Sequence, residues 1–543
     1  MVKDSKCAFR YLLWLLALVT TIVLYIYVVK TAMLPVGLLI LMAVLFSGIY
    51  FLLLWLQKKK KRICLWVAIV SEIVILAVCI YGISVLHHTT KMIRDITEIV
   101  TETEAISAYV LKDEQSESLQ DMANEEIGIV SGQSSEAVSS VLKKLQKDNN
   151  LSGTIHEYGD MFSAADALRQ GEVAVLLMND AYAGLISEIE GYEWFAQEVK
   201  ILETSVETVQ MEKESPSKEN PAKNDWNKQK EDTEKPDDVA DQTVGMENEI
   251  NVPQSGIATE TVTMELVEEP EFVDWDSLVS QDMTEVPEGA FVMYISGVDT
   301  WGSVSSKSRS DVNILAVVNT NTKKVLLVST PRDYYVPLSV AKGQKDKLTH
   351  AGIYGIDCSV NTLEMLYGVD VQYYARLNFT GFVNIVDALG GVDVYSDASF
   401  TVGDAFAFSQ GMNHMSGIEA LAFARERYNV SGGDLSRGNH QMEVIKAVLN
   451  KCTSASILYN YADVMNSVSG SFATNMSREK MASLVRMQLS DMAQWSISSI
   501  GVGGSGARKT TYSIPGKTSY VMLPDVVSIQ NAKTQITNVL SGN

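Results

Sequence analysis

Five arginines stand out in the second half of this acidic chain: Arg309, Arg332, Arg425, Arg427 and Arg437. The last three fall within FARERYNVSGGDLSRGNHQ, Phe423–Gln441, beside Asp434 and Gln441. A guanidinium is a planar fork that stays charged and matches phosphate oxygens two at a time. Asp299 ends the strand-like run FVMYISGVD, Asp311 closes RSD, and Asp333 closes STPRD. Two carboxylates suit Mg²⁺, which is commonly held by one or two carboxylates together with substrate phosphates. The combination points to a phosphoryl- or pyrophosphate-handling site, where the protein positions charge and neutralises it. Plain salt bridges are the competing explanation, and neither RSD nor PRD decides between them alone.

These residues need elements to carry them. Phe291–Asp299, Asp311–Asn319 and Lys323–Thr330 read as strands, with near-continuous apolar runs that fit central strands covered on both faces. NFTGFVNIVDALGG, Asn378–Gly391, reads as a helix stopped by glycines, followed by the strand VDVY. SGIEALAFARERY, Ser416–Tyr428, reads as another helix, with Ser416 as cap and Glu419 three residues on. Strands interleaved with helices predict an α/β fold of α-β-α layers. The candidate residues sit at strand and helix ends, where such sheets bind ligands. Arg425 and Arg427 are two apart, so they serve one ligand only if the helix ends near Glu426.

Other chemistry is poorly supported. There is no CxxC, no GxxxxGK[ST] loop and no Ser-His-Asp arrangement. His350 is expected to be structural or pocket-lining, and His414 solvated. Of the five cysteines, Cys358 and Cys452 leave room for a single bridge. The net charge of −22 argues against a nucleic-acid partner. Residues Met211–Glu285 hold 21 Asp and Glu against 6 Lys, a local balance of −15, so the rest is only mildly acidic. Its low aliphatic content predicts a disordered acidic tether.

Ala8–Val29, Ala32–Leu56 and Ile63–Leu86 are nearly all apolar, and each reaches the ~20 residues that a spanning helix needs. Lys3, Lys6 and Arg10 precede the first run, and KKKKR, Lys58–Arg62, separates the second from the third. The positive-inside rule therefore places the N-terminus and KKKKR in the cytoplasm and everything after about His87 outside. Glu72, inside the third span, is expected to be protonated or paired. Thr89–Ala105 reads as a charged helix continuing outward, and Ile106–Glu203 as a small α/β domain without a catalytic constellation. The expected organisation is three transmembrane helices (1–87), an accessory α/β domain (88–210), an acidic linker (211–286) and a catalytic domain (287–543).

The ordered motifs GVD, RSDVNILAVVN, VLLVSTPRD, THAGIYG, NFTGFVNIVDALGGVDVY and LAFARERYNVSGGDLSRGNHQ resemble the LytR–CpsA–Psr family of cell-envelope proteins. The three-span anchor with an extra domain is similar to its capsule-linked branch. The resemblance implies a Mg²⁺-dependent phosphotransferase in a bacterial plasma membrane, with its C-terminal domains extracellular. It would move a capsular or teichoic-acid-type glycopolymer from an undecaprenyl-pyrophosphate carrier to peptidoglycan. By motif position, Asp299 and Asp311 would hold the metal. Arg309, Arg332, Arg425, Arg427 and Arg437 would hold the pyrophosphate, with Gln441 in support. Asp311, Asp333 and Asp434 are all candidate bases. FVNIVDAL is a candidate lining for a polyprenyl groove, although core packing explains it equally well. Many relatives carry arginine where this chain has Trp301 and His440. Alternatives are a polyprenyl-diphosphate pyrophosphatase, a non-catalytic scaffold for capsule-assembly proteins, and an attenuator-like regulator.

Overall fold

The structure, a computed structural model, describes residues 2–59, 61–97, 101–130, 135–210, 283–298, 304–427, 429–430, 434–454, 464 and 471–543. Most of the expected linker, together with Asp299 and Trp301, lies outside them. One compact unit takes in the described residues on both sides of 211–282.

Three helices lead the chain, and the segments Arg10–Thr31, Val36–Lys58 and Arg62–Lys91 are long and apolar enough to cross a membrane. The second starts later than expected because Pro35 caps it with extended backbone, φ −59° and ψ 145°. A backbone N–H is missing at proline, and its ring fits a helix start. Glu72 is fully buried among the helices and accepts a 2.5 Å hydrogen bond from Gln57.

The expected helix over Thr89–Ala105 is corrected. The third helix stops at Thr97, and a strand runs over Thr101–Leu111. Thr101-Glu102-Thr103-Glu104 alternates β-branched and acidic residues at the strand period. Charge hides that signal, because Glu102 and Glu104 form the buried side of the alternation.

This strand belongs to a five-stranded sheet, in the order Ile155–Tyr158, Ile127–Val130, Val175–Asn179, Thr101–Leu111, Val199–Gln210. The helices Ser135–Asp148 and Met161–Gln170 carry apolar residues at three- and four-residue spacing. Each covers its own apolar cluster: Val138, Val141 and Leu145 pack with Ile106 and Val175, and Phe162 and Leu168 pack with Leu176 and Tyr182.

A six-stranded mixed sheet organises the C-terminal half. Its order is Phe472–Thr474, Tyr373–Leu377, Ala290–Val298, Ser310–Asn319, Lys324–Ser329, Ser496–Gly501. The Asp434–Thr453 helix covers one face, setting Met442 against Ile314, Ala316 and Leu327. Leu315 and Val317 point the opposite way, where the Val526–Ser541 helix packs on the same strands. Burial on both faces accounts for the unbroken apolar runs, and the α-β-α layering is present.

Cys358 and Cys452 are both free, so there is no bridge between them. His414 is exposed beside Asp393, at 2.8 Å, as a solvated residue should be.

Candidate active site

Strand direction gathers the chemistry at one edge of the central sheet. Val298, Ser329, Leu377 and Gly501 end strands that point the same way. The Ser310–Asn319 strand runs opposite to them, so its first residues, Ser310 and Asp311, reach that same edge.

The Gly417–Arg425 helix delivers two arginines there. Its start is fixed by a capping box, in which Glu419 accepts from the Ser416 amide at 2.8 Å and from its hydroxyl at 2.6 Å. It ends at Arg425 because Glu426 is extended, φ −67° and ψ 133°. The Glu426 carboxylate then accepts from the amides of Arg427 and Asn429, at 2.9 and 2.8 Å. This local turn breaks the helical period, so Arg425 and Arg427 line the same cavity. The guanidinium of Arg425 lies over the Phe379 ring, 4.3 Å from its centroid. Arg437 and Gln441, one helical turn apart on the Asp434–Thr453 helix, line the cavity too. The backbone of Asp434 opens that helix, but its side chain is outside the description.

The cavity holds about 740 Å³ and has two characters. Arg309, Asp311, Arg332, Arg425, Arg427 and Arg437 supply an ionic lining. Ile295, Leu377, Phe379, Phe382, Phe406 and Leu421 supply an apolar one, and the two meet where Arg425 lies over Phe379. Of FVNIVDAL, Phe382 lines the cavity, with Phe379 one turn ahead of it, while Val386 of the same helix is buried in the core. A second cavity, of about 230 Å³, shares Asp311, Arg332, Arg437 and Gln441 with the first.

Asp311 accepts from Arg332 at 3.1 Å and from the Thr349 hydroxyl at 3.1 Å. Burial pushes its carboxyl up, but Arg332, Arg309 and Arg437 outweigh this and hold it below the usual range. Burial alone would lower Arg332, yet Asp311 and Asp333 keep it firmly protonated. Asp333 lies 3.6 Å from Arg332 and 3.6 Å from Lys347, and it does not line either cavity.

Arg309 has a partner that the sequence does not suggest. Its guanidinium pairs with Glu188, from the segment after the Asp180–Ile186 helix. Lys347 also reaches Glu188, at 2.8 Å, and His350 Nε2 lies 3.9 Å away. Burial raises the Glu188 carboxyl, but His350, Lys347 and Arg309 hold it far below the normal range. His350 is fully buried, with Nδ1 2.6 Å from Asp346. Burial lowers its pKa, and the carboxylates of Asp346 and Glu188 more than offset this, so the net direction is upward. The accessory domain therefore contributes Glu188 to the lining of the cavity. Only the THAGIYG histidine hinted at this cluster, because an isolated glutamate in SEIEGYEW carries no motif.

The same seam holds two more ion pairs. Arg376 meets Glu102 at 3.3 Å, and Lys307 meets Glu104 at 3.0 Å. Backbone bonds join Thr103 to Ser305 and Lys307, at 2.9 and 2.8 Å, just ahead of Arg309. His440 turns away from both cavities. Its ring stacks on Phe423 at 4.2 Å and on Phe400 at 5.2 Å, and burial lowers its pKa.

Fold and site together define an α/β protein with three helices able to span a membrane. Its cavity joins clustered arginines to an apolar groove. Residues 262–534 match the LytR_cpsA_psr family, and the chain belongs to it. It is 37% identical over 220 residues to a Bacillus cereus protein named polyisoprenyl-teichoic acid–peptidoglycan teichoic acid transferase TagU, covering 40% of this chain and 71% of that one. A Bacillus mycoides protein of the same name is 39% identical over 186 residues, covering 34% of this chain and 60% of its own length. Among solved structures, TagV of B. subtilis has 24% identity and a TM-score of 0.40, covering 47% of this chain and 98% of that one. TagT bound to LI-WTA has 25% identity and a TM-score of 0.38, covering 48% and 95%.

Proposed function

We propose that this protein is a membrane-anchored phosphotransferase that moves a glycopolymer from a polyprenyl-diphosphate carrier to peptidoglycan, outside the membrane. The observation that carries this reading is one cavity lined by both clustered arginines and apolar side chains. The arginines suit a diphosphate, and the apolar side chains suit the tail attached to it. Relatives named as teichoic acid–peptidoglycan transferases support the donor and acceptor classes.

In this reading Arg332, Arg425, Arg427 and Arg437 spread the charge that builds on the diphosphate, with Gln441 beside them. An acceptor hydroxyl attacks the glycan-bearing phosphorus. The bond to the lipid phosphate breaks, a phosphodiester forms, the hydroxyl proton passes to a carboxylate of the site and the lipid monophosphate leaves. Of the candidate bases, Asp311 faces the cavity, whereas Asp333 is turned towards Lys347 and Arg332. Asp311 also suits Mg²⁺, as an ionised carboxylate at the junction of both cavities, with Asp299 its partner by motif. Among the described residues no group of three or more His, Cys, Asp or Glu could hold a metal, so phosphate oxygens would complete the shell. Mg²⁺ bound there would neutralise diphosphate charge.

The topology supports this side of the membrane. Arg486 Nε donates to the carbonyl of Ala32, at 2.7 Å, in the turn between the first two spans. That turn lies at the opposite helix ends from KKKKR, which the positive-inside rule keeps in the cytoplasm.

The test uses the full chain in detergent with Mg²⁺, a polyprenyl-diphosphate oligosaccharide and a peptidoglycan fragment, read by mass spectrometry. A glycan–peptidoglycan phosphodiester is expected. Release of lipid monophosphate and free glycan phosphate without linkage would favour the pyrophosphatase, and no turnover would favour a scaffold.

A further inference from the structure

The smaller cavity lacks the large apolar side chains that line the larger one. It is lined by Ser329, Thr330, Asn439 and the Gly501–Gly503 segment, and it meets the larger cavity at Asp311, Arg332, Arg437 and Gln441. A diphosphate held by the shared arginines, Arg332 and Arg437, therefore borders both the larger cavity with its apolar side chains and this smaller recess. Displacement at phosphorus is in line, so the attacking oxygen enters opposite the leaving lipid phosphate. We infer that the smaller cavity is the acceptor subsite, which receives the hydroxyl-bearing sugar of peptidoglycan and aims it at the glycan-bearing phosphorus. This rests on the transferase reading above.

The wall of the recess supports that assignment. A Cβ built on Gly503 would meet no atom within 4 Å, and one on Gly501 would meet only Asn439 and Met442, at 3.8 and 3.9 Å. Neither glycine has a positive φ. Backbone conformation and neighbouring atoms thus leave both positions open to larger residues, at positions that line the recess. The Gly503 backbone is pinned independently. Its amide donates to the Ser528 hydroxyl at 3.1 Å, and its carbonyl accepts from the Asp525 amide at 3.0 Å and from the Tyr334 hydroxyl. A side chain added there narrows the space beside the recess while these backbone bonds keep the loop in place. Asn439, exposed at the rim, offers an amide able both to donate to and accept from a sugar hydroxyl. With about 230 Å³ the recess suits a single sugar residue rather than a polymer.

Gly503→Leu and Asn439→Ala test this in the full-length protein in detergent micelles. Steady-state transfer to a peptidoglycan fragment is measured beside equilibrium binding of a short-chain polyprenyl diphosphate. Gly503→Leu should raise the acceptor KM by about tenfold or more, and Asn439→Ala by a smaller factor, because a filled or unpaired polar pocket rejects its ligand. Binding of the polyprenyl diphosphate should stay within about twofold of wild type, since the arginines are untouched. Transfer unaffected by Gly503→Leu would overturn the proposal. So would a parallel loss of donor binding, which would assign the recess to the donor glycan. Thermal unfolding checks the fold, and Gly501→Ala, the smallest intrusion, supplies a second variant should leucine disrupt it. Failure of wild type to transfer at all sinks the transferase reading instead, so the two failures are separable.

Discussion

The seam between the two sheets and the cavity beside it are built from the same residue types but hold charge differently. At the seam each named cation meets a carboxylate from the accessory domain: Arg376 with Glu102, Lys307 with Glu104, Arg309 and Lys347 with Glu188. At the cavity, Arg425, Arg427 and Arg437 converge on a space large enough for a ligand. Arg309 belongs to both, because it and Glu188 line the cavity together. Arginine count therefore overstates the charge offered to an anion. What separates a seam arginine such as Arg376 from a cavity one is whether it also faces a space large enough for a ligand.

The sharpest way to break the comparison is at its most buried pair. Arg376 is 3% exposed, and it also donates to the Ser306 carbonyl at 2.7 Å. Arg376→Met should cost ~3–5 kcal/mol in denaturant unfolding, since Glu102 is left buried and uncompensated. Replacing Glu102 by Met as well should recover most of that, because an apolar pair escapes the desolvation cost of both ions. No recovery in the double variant would show that the seam depends on charge for more than neutralisation.

Cavity arginines should behave in the opposite way. Arg425→Ala should leave the unfolding midpoint near wild type but lower transfer turnover by ~10²–10³, the usual loss when one preorganised charge-stabilising group is removed. A stability loss without a catalytic one would move Arg425 to the structural side.

Glu188→Gln tests the shared residue. It keeps the shape but removes the charge that offsets Arg309, Lys347 and His350. Pyrophosphate should bind more tightly, by up to about tenfold, and with a steeper salt dependence, because exposed charge is screened. Unchanged affinity, read by calorimetry at two salt concentrations, would mean that Arg309 does not see the ligand.

The sequence shows these regions with unequal clarity. Apolar periodicity reveals the spans, the central strands and the late helix, because each element's burial is written in its own residues. The turn at Glu426 was legible as a requirement, since Arg425 and Arg427 had to share a ligand. The seam was not, because its partners are up to 274 residues apart, as with Glu102 and Arg376. An acidic strand such as TETE reads as solvated until its cations are in place. Glu188 was invisible for the same reason, and the recess at Gly501–Gly503 because an empty volume leaves no residue pattern.

His440 makes the smallest prediction and the finest test. At the sequence level it marks a lost arginine in the cationic stretch, and so a candidate tuner of the site. In the fold it is 4% exposed, stacked on two phenylalanines, with Nδ1 lacking a hydrogen-bond partner. Burial lowers its pKa, so the folded state keeps it neutral where the unfolded chain would protonate it. As pH falls below ~6.5, the unfolded state gains a proton that the folded state does not, and stability declines. His440→Phe should remove that decline, change stability near pH 8 by less than ~1.5 kcal/mol and leave transfer unaltered. A changed transfer rate, or a variant that still loses stability between pH 6.5 and 5 as wild type does, would return His440 to the cavity side of the comparison.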